Sequence, residues 1–379
     1  MSNKNFFYAL TTLIGMIVGV GIFGIPYAFA QAGFLIGFFY LILLAGAILL
    51  IHLFYGEIVL RTSGQHRLVG YGERYLGQLG KKITGAIIIF EFYGALLAYL
   101  IAGGYFLNLI FGRFLGGNEF IWVLIFFIAG SLVILLGLRT IASSEFFMTV
   151  FLLAIAVIFV FKGAPLINLA NLKNFNLVKF FLPYGVVLFA MTGGAAIPEM
   201  RQILKGGEHQ LKKAIIWGTA IPAIVYFLFA LVIVGVAGPK TPENSIDVLL
   251  PYFGQYIAVL GAIFGFLAVV TSFLVLGLNL RRVFQYDYKL NNIMAWMLVC
   301  FVPLGGYLLG LNDFIVVISL VGAIAGGLEG IMIILIYRKA KKMGDRQPEY
   351  SLKINKVILY GLILIFVLGV IYQFIYLAK

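Results

Sequence analysis

The chain alternates between long apolar runs and short polar connections. Eleven runs approach the roughly 20 residues that a helix needs to cross the roughly 30 Å hydrocarbon core of a bilayer. In chain order they cover residues 6–30, 34–59, 83–111, 120–138, 146–161, 180–200, 214–237, 252–280, 293–309, 314–337 and 357–377. This pattern predicts an all-α polytopic membrane protein of about eleven helices.

The polar connections are too short to form a soluble domain. The longest of them cover residues 61–82, 162–179, 201–213 and 339–356. A catalytic domain needs more chain than any of these segments provides. We therefore expect residues 1–379 to form a single membrane domain.

Composition and the placement of charge indicate the same setting. Of all residues, 63% are hydrophobic and 11% are charged, so the bilayer has to act as the solvent. The formal net charge is +13, but with a cytoplasmic N-terminus 21 of the 27 Lys and Arg residues fall in inside segments. This bias follows the positive-inside rule, so the charge indicates topology and not a nucleic-acid partner. The prediction is a multi-pass protein of the plasma (inner) membrane with its N-terminus in the cytoplasm and its C-terminus outside.

Glycine and proline interrupt two of the predicted helices near mid-membrane. Helix one carries GVGIFGIP at residues 19–26, and helix six carries TGGAAIP at residues 192–198. Glycine tolerates many backbone angles and proline lacks a donor, so a helix can unwind at each cluster. Unwound backbone at this depth is tolerated only where protein buries it or where it lines a water-filled cavity. The alternative is that the glycines only pack, as the spacing of Gly15 and Gly19 allows.

The two breaks lie five helices apart, and this spacing predicts an internal repeat. An odd number of crossings inverts the second copy relative to the first. The result is two inverted five-helix units, residues 1–162 and 178–338, with residues 354–379 as an extra helix. In transporters built from inverted repeats, discontinuous helices meet near the midplane and hold substrate and ions.

Residues 15–26 resemble the first-helix signature of the amino acid/auxin permease group of the APC superfamily. Within that group, the chain is most similar to the aromatic amino acid (tryptophan/tyrosine) permease family. Similar stretches follow in order at residues 74–77, 84–85, 98–103, 198–199, 218–222 and 268–274. The resemblance implies a LeuT-type fold with discontinuous helices one and six. It also implies secondary, alternating-access symport of a neutral amino acid, with aromatic ones as candidates, driven by sodium or protons.

The two breaks supply a candidate substrate site. Unwinding at residues 18–23 and 191–195 frees N–H and carbonyl groups, and the adjoining half-helix N-termini carry partial positive charge. Tyr99 matches a family tyrosine and is the candidate hydroxyl donor to a substrate carboxylate; a packed aromatic bonded to a backbone carbonyl is the alternative. The predicted substrate-binding residues are Gly19, Val20, Gly21, Ile22, Phe23, Tyr99, Met191, Thr192, Gly193 and Gly194.

Helix eight carries a candidate sodium site. Ala268, Thr271 and Ser272 lie at i, i+3 and i+4, so one carbonyl and two hydroxyls share one side of the helix. The resemblance to sodium-coupled LeuT-type carriers adds Gly15 and Val18 of helix one. The alternative is that both hydroxyls bond back to carbonyls of their own helix.

Proton coupling is the rival to sodium coupling. Leu152 stands where proton-coupled relatives often carry a lysine, which favours sodium. Three deep carboxylates, Glu91, Glu199 and Glu329, keep a proton route open, because ionisable groups at this depth are costly and usually functional. For Glu199, which follows the second break directly, pairing with a nearby Arg or Lys is the alternative. Glu57, near the inner end of helix two, is expected to be solvated.

Other functional classes fit the sequence less well. Residues 19–24 match the spacing of a dinucleotide fingerprint, but no strand precedes them. The spans hold no convergent catalytic set, so we expect no enzyme and no cofactor other than a coupling Na⁺. A passive channel or an amino-acid-sensing, transporter-like receptor is the alternative to a carrier. The expected partners are an amino acid, Na⁺ or H⁺, and the lipid bilayer.

Overall fold

The part of the chain that the structure describes is helical. The structure is a computed structural model, and it describes residues 3–137, 141–243, 245, 250–286 and 288–377. These residues form fourteen α-helices and no strand. In chain order the helices are α1 (Asn3–Ile17), α2 (Gly21–Ala32), α3 (Phe34–Arg61), α4 (Leu68–Leu115), α5 (Glu119–Leu136), α6 (Ile141–Gly163), α7 (Leu182–Met191), α8 (Ile197–Ile203), α9 (Leu211–Ala237), α10 (Leu250–Tyr286), α11 (Asn292–Leu308), α12 (Phe314–Val321), α13 (Gly327–Met343) and α14 (Lys356–Leu377).

Each of the eleven predicted runs coincides with helical structure. Within the described residues, eight helices are long and apolar enough to cross a membrane, and α1 with α2, bent by 52°, makes a ninth. The shorter apolar helix α11 and the interrupted pair α7 and α8 occupy the other two runs. In one span, α12 continues into α13 through a π-helical segment at Gly322–Gly326.

The first long connection is largely helical, which corrects the prediction for residues 61–82. α4 already begins at Leu68 and bends at Gly77, where φ is 72° and ψ is −164°. Such a positive φ is readily available only to glycine. Before the bend, the ring of Tyr71 packs edge-on against Tyr55 of α3, with centroids 5.9 Å apart. The charged residues made this segment resemble a loop, but its buried tyrosine face holds it on α3.

The first break is present and shorter than predicted. α1 ends at Ile17 and α2 begins at Gly21, so the unwound part covers residues 18–20. The predicted unwinding of residues 21–23 is therefore wrong, because these residues form the first turn of α2. Pro26 lies inside α2, and its missing donor leaves only one carbonyl of the preceding turn without a helical partner.

The second break is also short. α7 ends at Met191, and α8 begins at Ile197 after a 3-10 turn at Gly194–Ala196. Pro198 lies in the first turn of α8, where its missing N–H needs no helical partner. Only Thr192 (φ −67°, ψ 132°) and Gly193 (φ −169°, ψ 10°) therefore leave helical geometry, and Thr192 is the extended residue.

The segment between α13 and α14 lies across the end of α3. The Glu57 carboxylate is 0% exposed and accepts hydrogen bonds from Arg61 Nε at 2.8 Å and from the Leu352 backbone N–H at 2.7 Å. The Tyr350 hydroxyl donates to a carbonyl of α3 at 2.7 Å. The expected solvation of Glu57 is therefore wrong, because residues 344–352 cover it.

Candidate functional site

A cavity lies between the two helix breaks. Its walls come from α1, α4, α6, α10 and the start of α13, and the backbone of both breaks lines it. The cavity encloses about 1030 Å³ of empty space, which includes the part that opens to solvent.

Most of the predicted site residues line this cavity. They are Gly15, Gly19, Gly21, Glu91, Tyr99, Thr192, Gly193, Gly194, Thr271, Ser272 and Glu329. Six others are packed in the core beside it, namely Val18, Val20, Ile22, Phe23, Met191 and Ala268. Glu199 lies outside the cavity lining, where its side chain is 41% exposed and its carboxylate pairs with Arg67 at 3.2 Å. For Glu199 the structure thus shows pairing with an arginine, which was the alternative to a role in proton coupling.

The two breaks touch each other through a glycine. A Cβ added to Gly21 would lie 2.7 Å from the Cα of Ala190 in α7. Real Cβ atoms do not approach a backbone that closely, so only glycine fits at this position. The start of α2 is therefore held directly against the end of α7.

A tyrosine that the sequence did not single out ties the two breaks together. The Tyr226 hydroxyl of α9 lies 2.6 Å from the carbonyl oxygen of Ile17 and 3.1 Å from that of Ala190, and it is the donor to both. These carbonyls belong to the last turns of α1 and α7, where helical partners run out. Tyr226 lies in an apolar run without any motif, and only a polar hydroxyl in mid-span could have marked it.

A pair of hydroxyls from α4 and α10 faces the first break. A Cβ added to Gly19 would lie 3.1 Å from Tyr99 Oη and 3.4 Å from Ser272 Oγ. The Tyr99 hydroxyl is therefore beside the unwound backbone of residues 18–20. This is the position that the prediction of a carboxylate donor requires.

Three of the predicted sodium residues, Gly15, Thr271 and Ser272, line the cavity. Thr271 donates back to the Leu267 carbonyl at 2.8 Å and to the Ala268 carbonyl at 3.2 Å. This bonding within its own helix is the alternative to a sodium ligand that the sequence left open for Thr271. Its oxygen still has lone pairs to offer a cation. Thr149 of α6, which the sequence did not single out, places Oγ1 2.5 Å from where a Cβ of Gly15 would be.

This donor set consists of hydroxyl and carbonyl oxygens, so it fits a hard monovalent cation. Among the described residues, no group of three or more His, Cys, Asp or Glu side chains could hold another kind of metal ion. Leu152 stands where proton-coupled relatives often carry a lysine, and its side chain lies outside the part of the chain that the structure describes.

Two predicted carboxylates meet at the cavity. Glu329 is 7% exposed, and its Oε1 would lie 3.7 Å from a Cβ added to Gly194 of the second break. Glu91 of α4 lines the same cavity. One carboxylate oxygen of Glu91 is buried without a hydrogen-bond partner. The structure thus groups Glu91 and Glu329 and places Glu199 apart from them.

An aromatic cluster closes one side of the cavity. The Phe23 ring meets Phe106, Phe264 and Phe229 at centroid distances of 5.1, 5.9 and 6.5 Å. On the other side, the lining continues along α1 to Thr12, towards the N-terminus. The cavity lining therefore extends towards the side on which α1 begins.

Comparisons with known proteins agree with this architecture. The profile of the tryptophan/tyrosine permease family matches residues 2–375. Glutamine transporter 2 of Aliivibrio fischeri is 23% identical over 333 residues, which cover 85% of this chain and 86% of that protein. Tyrosine-specific transport system 1 of Haemophilus influenzae is 23% identical over 378 residues, which cover 94% of this chain and 92% of that protein. The crystal structure of MhsT in complex with L-phenylalanine matches with a TM-score of 0.68 at 17% identity, covering 99% of this chain and 98% of that chain.

Proposed function

The chain belongs to the tryptophan/tyrosine permease family and has a LeuT-type fold, and from this premise we propose that it carries a neutral amino acid together with a cation by alternating access. Membership of this family makes the chain a secondary amino-acid transporter of the membrane and not an enzyme. The observation that carries the finer proposal is the cavity between two helix breaks that Tyr226 ties together.

The backbone of the breaks recognises the common part of an amino acid. The N–H groups at the start of α2 carry the positive end of a helix dipole, so the substrate carboxylate binds there. The Tyr99 hydroxyl beside Gly19 is its second donor. The Thr192 carbonyl of the second break accepts from the α-amino group, because it has lost its helical donor, whereas the Gly193 carbonyl accepts from the Ala196 N–H at 3.1 Å.

The remaining cavity wall selects a neutral side chain. Phe92, Ala95, Phe189, Val275 and Leu276 present apolar surface, and apolar walls with few polar groups are usual in small-molecule sites. A charged side chain would lose its hydration there without gaining a partner. The names of the compared proteins mention glutamine, tyrosine and L-phenylalanine, all of which have neutral side chains.

A cation accompanies the substrate. Na⁺ would be held by the carbonyls of Gly15, Val18 and Ala268 and the hydroxyls of Thr271 and Ser272, and it would supply positive charge beside the substrate carboxylate. The carboxylates at the cavity offer a proton site as the second route. The excess of Lys and Arg in the predicted inside segments supports a cytoplasmic N-terminus. In that orientation the cavity extends inward, and the Phe23 cluster separates it from the outside.

Uptake into liposomes tests the proposal. Purified protein is reconstituted, and labelled tyrosine, tryptophan, phenylalanine, glutamine, glutamate and lysine are offered under an imposed sodium gradient and, separately, an imposed proton gradient. We expect at least one neutral amino acid to accumulate above its equilibrium level and the charged ones to be excluded. Protein-free liposomes are the control. Equilibration without accumulation would indicate a passive channel, and binding without flux would indicate a receptor; either result contradicts the carrier.

A further inference from the structure

A second cavity, the outer cavity, lies near the end of the bundle at which α7 and α12 begin and α14 ends. Its walls come from α2, α7, α12 and α14, with Lys179 just before α7 and Glu243 after α9. Val178, Lys179 and Asp313 are exposed at its rim, so it opens to solvent. It shares no lining residue with the cavity between the breaks. With the N-terminus in the cytoplasm, the outer cavity faces the outside.

The final helix aims a buried amide into the outer cavity. Gln373 of α14 is 4% exposed and belongs to the lining. Its side chain makes no hydrogen bond with a described residue. The buried Ser319 of α12 adds a hydroxyl to the same wall. Native proteins rarely leave a buried polar side chain without a partner, so the Gln373 amide indicates a ligand.

Two carboxylates in the lining carry negative charge. Glu243 is half-buried, and Asp313 lies at the N-terminus of α12. Burial and the neighbouring Asp313 carboxylate raise the pKa of the Glu243 carboxyl. Neither acid forms a salt bridge with a described residue. Asp313 Oδ1 accepts the Val316 N–H at 2.8 Å, which leaves Oδ2 for a ligand.

The nearest lysines do not neutralise these acids. Lys179 is the one cation among the described lining residues, and its Nζ donates to Gln31 Oε1 at 2.6 Å. Lys240, three residues before Glu243, is exposed and pairs with no described acid. The outer cavity therefore attracts a cation more strongly than an anion.

The rest of the outer cavity is aromatic and apolar. The rings of Phe181 and Tyr372 stack with centroids 4.0 Å apart, and Tyr27, Leu182 and Ile315 line the same space. Aromatic faces attract ammonium groups, and apolar walls fit a hydrocarbon body. A bare metal ion such as Ca²⁺ would need six or more oxygen ligands, which such walls do not supply.

We propose that the outer cavity binds a primary amine, in which an ammonium group is attached to an apolar or aromatic body. The ammonium has three N–H donors, and the Glu243 and Asp313 carboxylates and the Gln373 amide oxygen accept from them. The body of the amine lies against Phe181 and Tyr372. A carboxylate on the ligand would meet two like charges, so an amine without one binds better than an amino acid. This site goes beyond the transport function proposed above.

A bound amine would bridge three helices. Its contacts come from α7, α12 and α14. A Cβ added to Gly185 of α7 would lie 2.3 Å from the Ser319 carbonyl oxygen, so α7 and α12 already touch through their backbones. A ligand that binds only the folded protein raises its stability. The amine should therefore raise the unfolding temperature.

Binding of labelled 2-phenylethylamine to purified protein tests the proposal, alongside thermal unfolding. We expect saturable binding and a higher unfolding temperature. L-Phenylalanine has the same ring and ammonium but adds a carboxylate, so it should displace the label at least tenfold less well than unlabelled amine. Equal displacement by L-phenylalanine, or no saturable binding at millimolar amine, overturns the proposal.

Charge-neutral variants locate the amine. Glu243→Gln and Asp313→Asn should each weaken its binding about fivefold or more, because a charge-assisted hydrogen bond is lost; asparagine can still cap α12. Glu119→Gln is the matched control, because Glu119 is an exposed acid in the first turn of α5 and is not in the lining. Its affinity should equal that of the wild type. Unchanged affinity in both cavity variants overturns the proposal, and if one of them does not fold, the other decides.

Gln373→Met separates ligand binding from a structural role. Methionine fills a similar volume and removes the unpartnered amide, so the unfolding temperature without ligand should stay the same or rise. Amine binding should nevertheless weaken. Unchanged binding in Gln373→Met removes the amide from the site and overturns the proposal as stated.

None of these measurements requires transport. A wild type that accumulates amino acids but does not bind the amine overturns the outer site and leaves the carrier intact. Amine binding that the cavity variants weaken, in a protein without counterflow of any amino acid, supports the outer site and contradicts the carrier.

Discussion

Replacing Tyr226 with phenylalanine tests whether the two breaks act as one binding site. Tyr226→Phe removes a single hydroxyl and keeps the buried ring. That hydroxyl lies 2.6 Å from the Ile17 carbonyl oxygen and 3.1 Å from the Ala190 carbonyl oxygen. Without it, the ends of α1 and α7 lose the group that fixes their separation. A substrate that has to contact both breaks would meet a less ordered site.

The expected effect is moderate. The Ile17 carbonyl keeps the Gly19 N–H as a donor at 2.9 Å, so only the Ala190 carbonyl would be left unpaired. A buried carbonyl left unpaired costs about 1–3 kcal/mol, whereas hydrogen bonds measured within membrane proteins average about 0.6 kcal/mol. Water in the cavity can reach the breaks, so a loss of about 1–1.4 kcal/mol is reasonable. Since about 1.4 kcal/mol is tenfold in an equilibrium constant, binding should weaken about 5- to 10-fold.

Equilibrium binding of the labelled substrate to purified protein measures this change, alongside thermal unfolding. Tyr184→Phe is the control, because the Tyr184 hydroxyl is similarly buried but donates at 3.2 Å to the Ile365 carbonyl, away from the cavity. Both variants should unfold at slightly lower temperature, and only Tyr226→Phe should lose affinity. Unchanged affinity in Tyr226→Phe, or an equal loss in Tyr184→Phe, would refute the reasoning.

Three further predictions follow from single contacts. Gly21→Ala puts a Cβ 2.7 Å from the Ala190 Cα, so overpacking should cost about 1–3 kcal/mol in thermal or denaturant unfolding. Gly46→Ala, with nothing within 4 Å, should be neutral or gain up to about 1 kcal/mol. If sodium stimulates uptake, Thr271→Ala should raise the half-saturating sodium concentration about tenfold, and an unchanged value would remove Thr271 from the ion site. The Ser63 backbone N–H, helped by Arg74, lowers the pKa of the Asp345 carboxyl below 3.8. The bond between the Asp345 carboxylate and the end of α3 is therefore fully formed above pH 3.8 and is lost as the pH falls through the lowered pKa. Limited proteolysis of residues 344–352 should increase in that acidic range in the wild type, and Asp345→Asn should show no such increase.

The breaks could be predicted from the sequence because their cause is local. Glycine and proline act on the backbone at their own positions, so residues 19–26 and 192–198 located both interruptions to within a few residues. The LeuT-type fold followed from their spacing and from the resemblance, and the structural match confirms it. The predicted unwinding of residues 21–23 was wrong, because the helix forms again at Gly21, before Pro26 is reached.

Contacts made across the bundle could not be predicted. Tyr226 and Thr149 carry no sequence signal, since their roles arise only where α9 and α6 meet the first break. Glu91 and Glu329 lie far apart in the chain, and only the packing of α4 against α13 brings both to the lining of one cavity. Glu57 was expected in water, but a distant segment, residues 344–352, covers it.

The most direct test of the central claim is substrate protection of a thiol in the cavity. Ala95 lines the cavity one turn from Tyr99, and the only native cysteine, Cys300, is buried and can be replaced by alanine. In that background we expect the Ala95→Cys variant to react with a thiol reagent and the transported amino acid to slow the reaction at least fivefold, with half-protection near its binding constant. Gln347→Cys, which is exposed in the connection between α13 and α14, should react at a rate that the amino acid does not change. If the amino acid is transported but leaves the labelling of Ala95→Cys unchanged, the cavity between the breaks is not the site at which it binds.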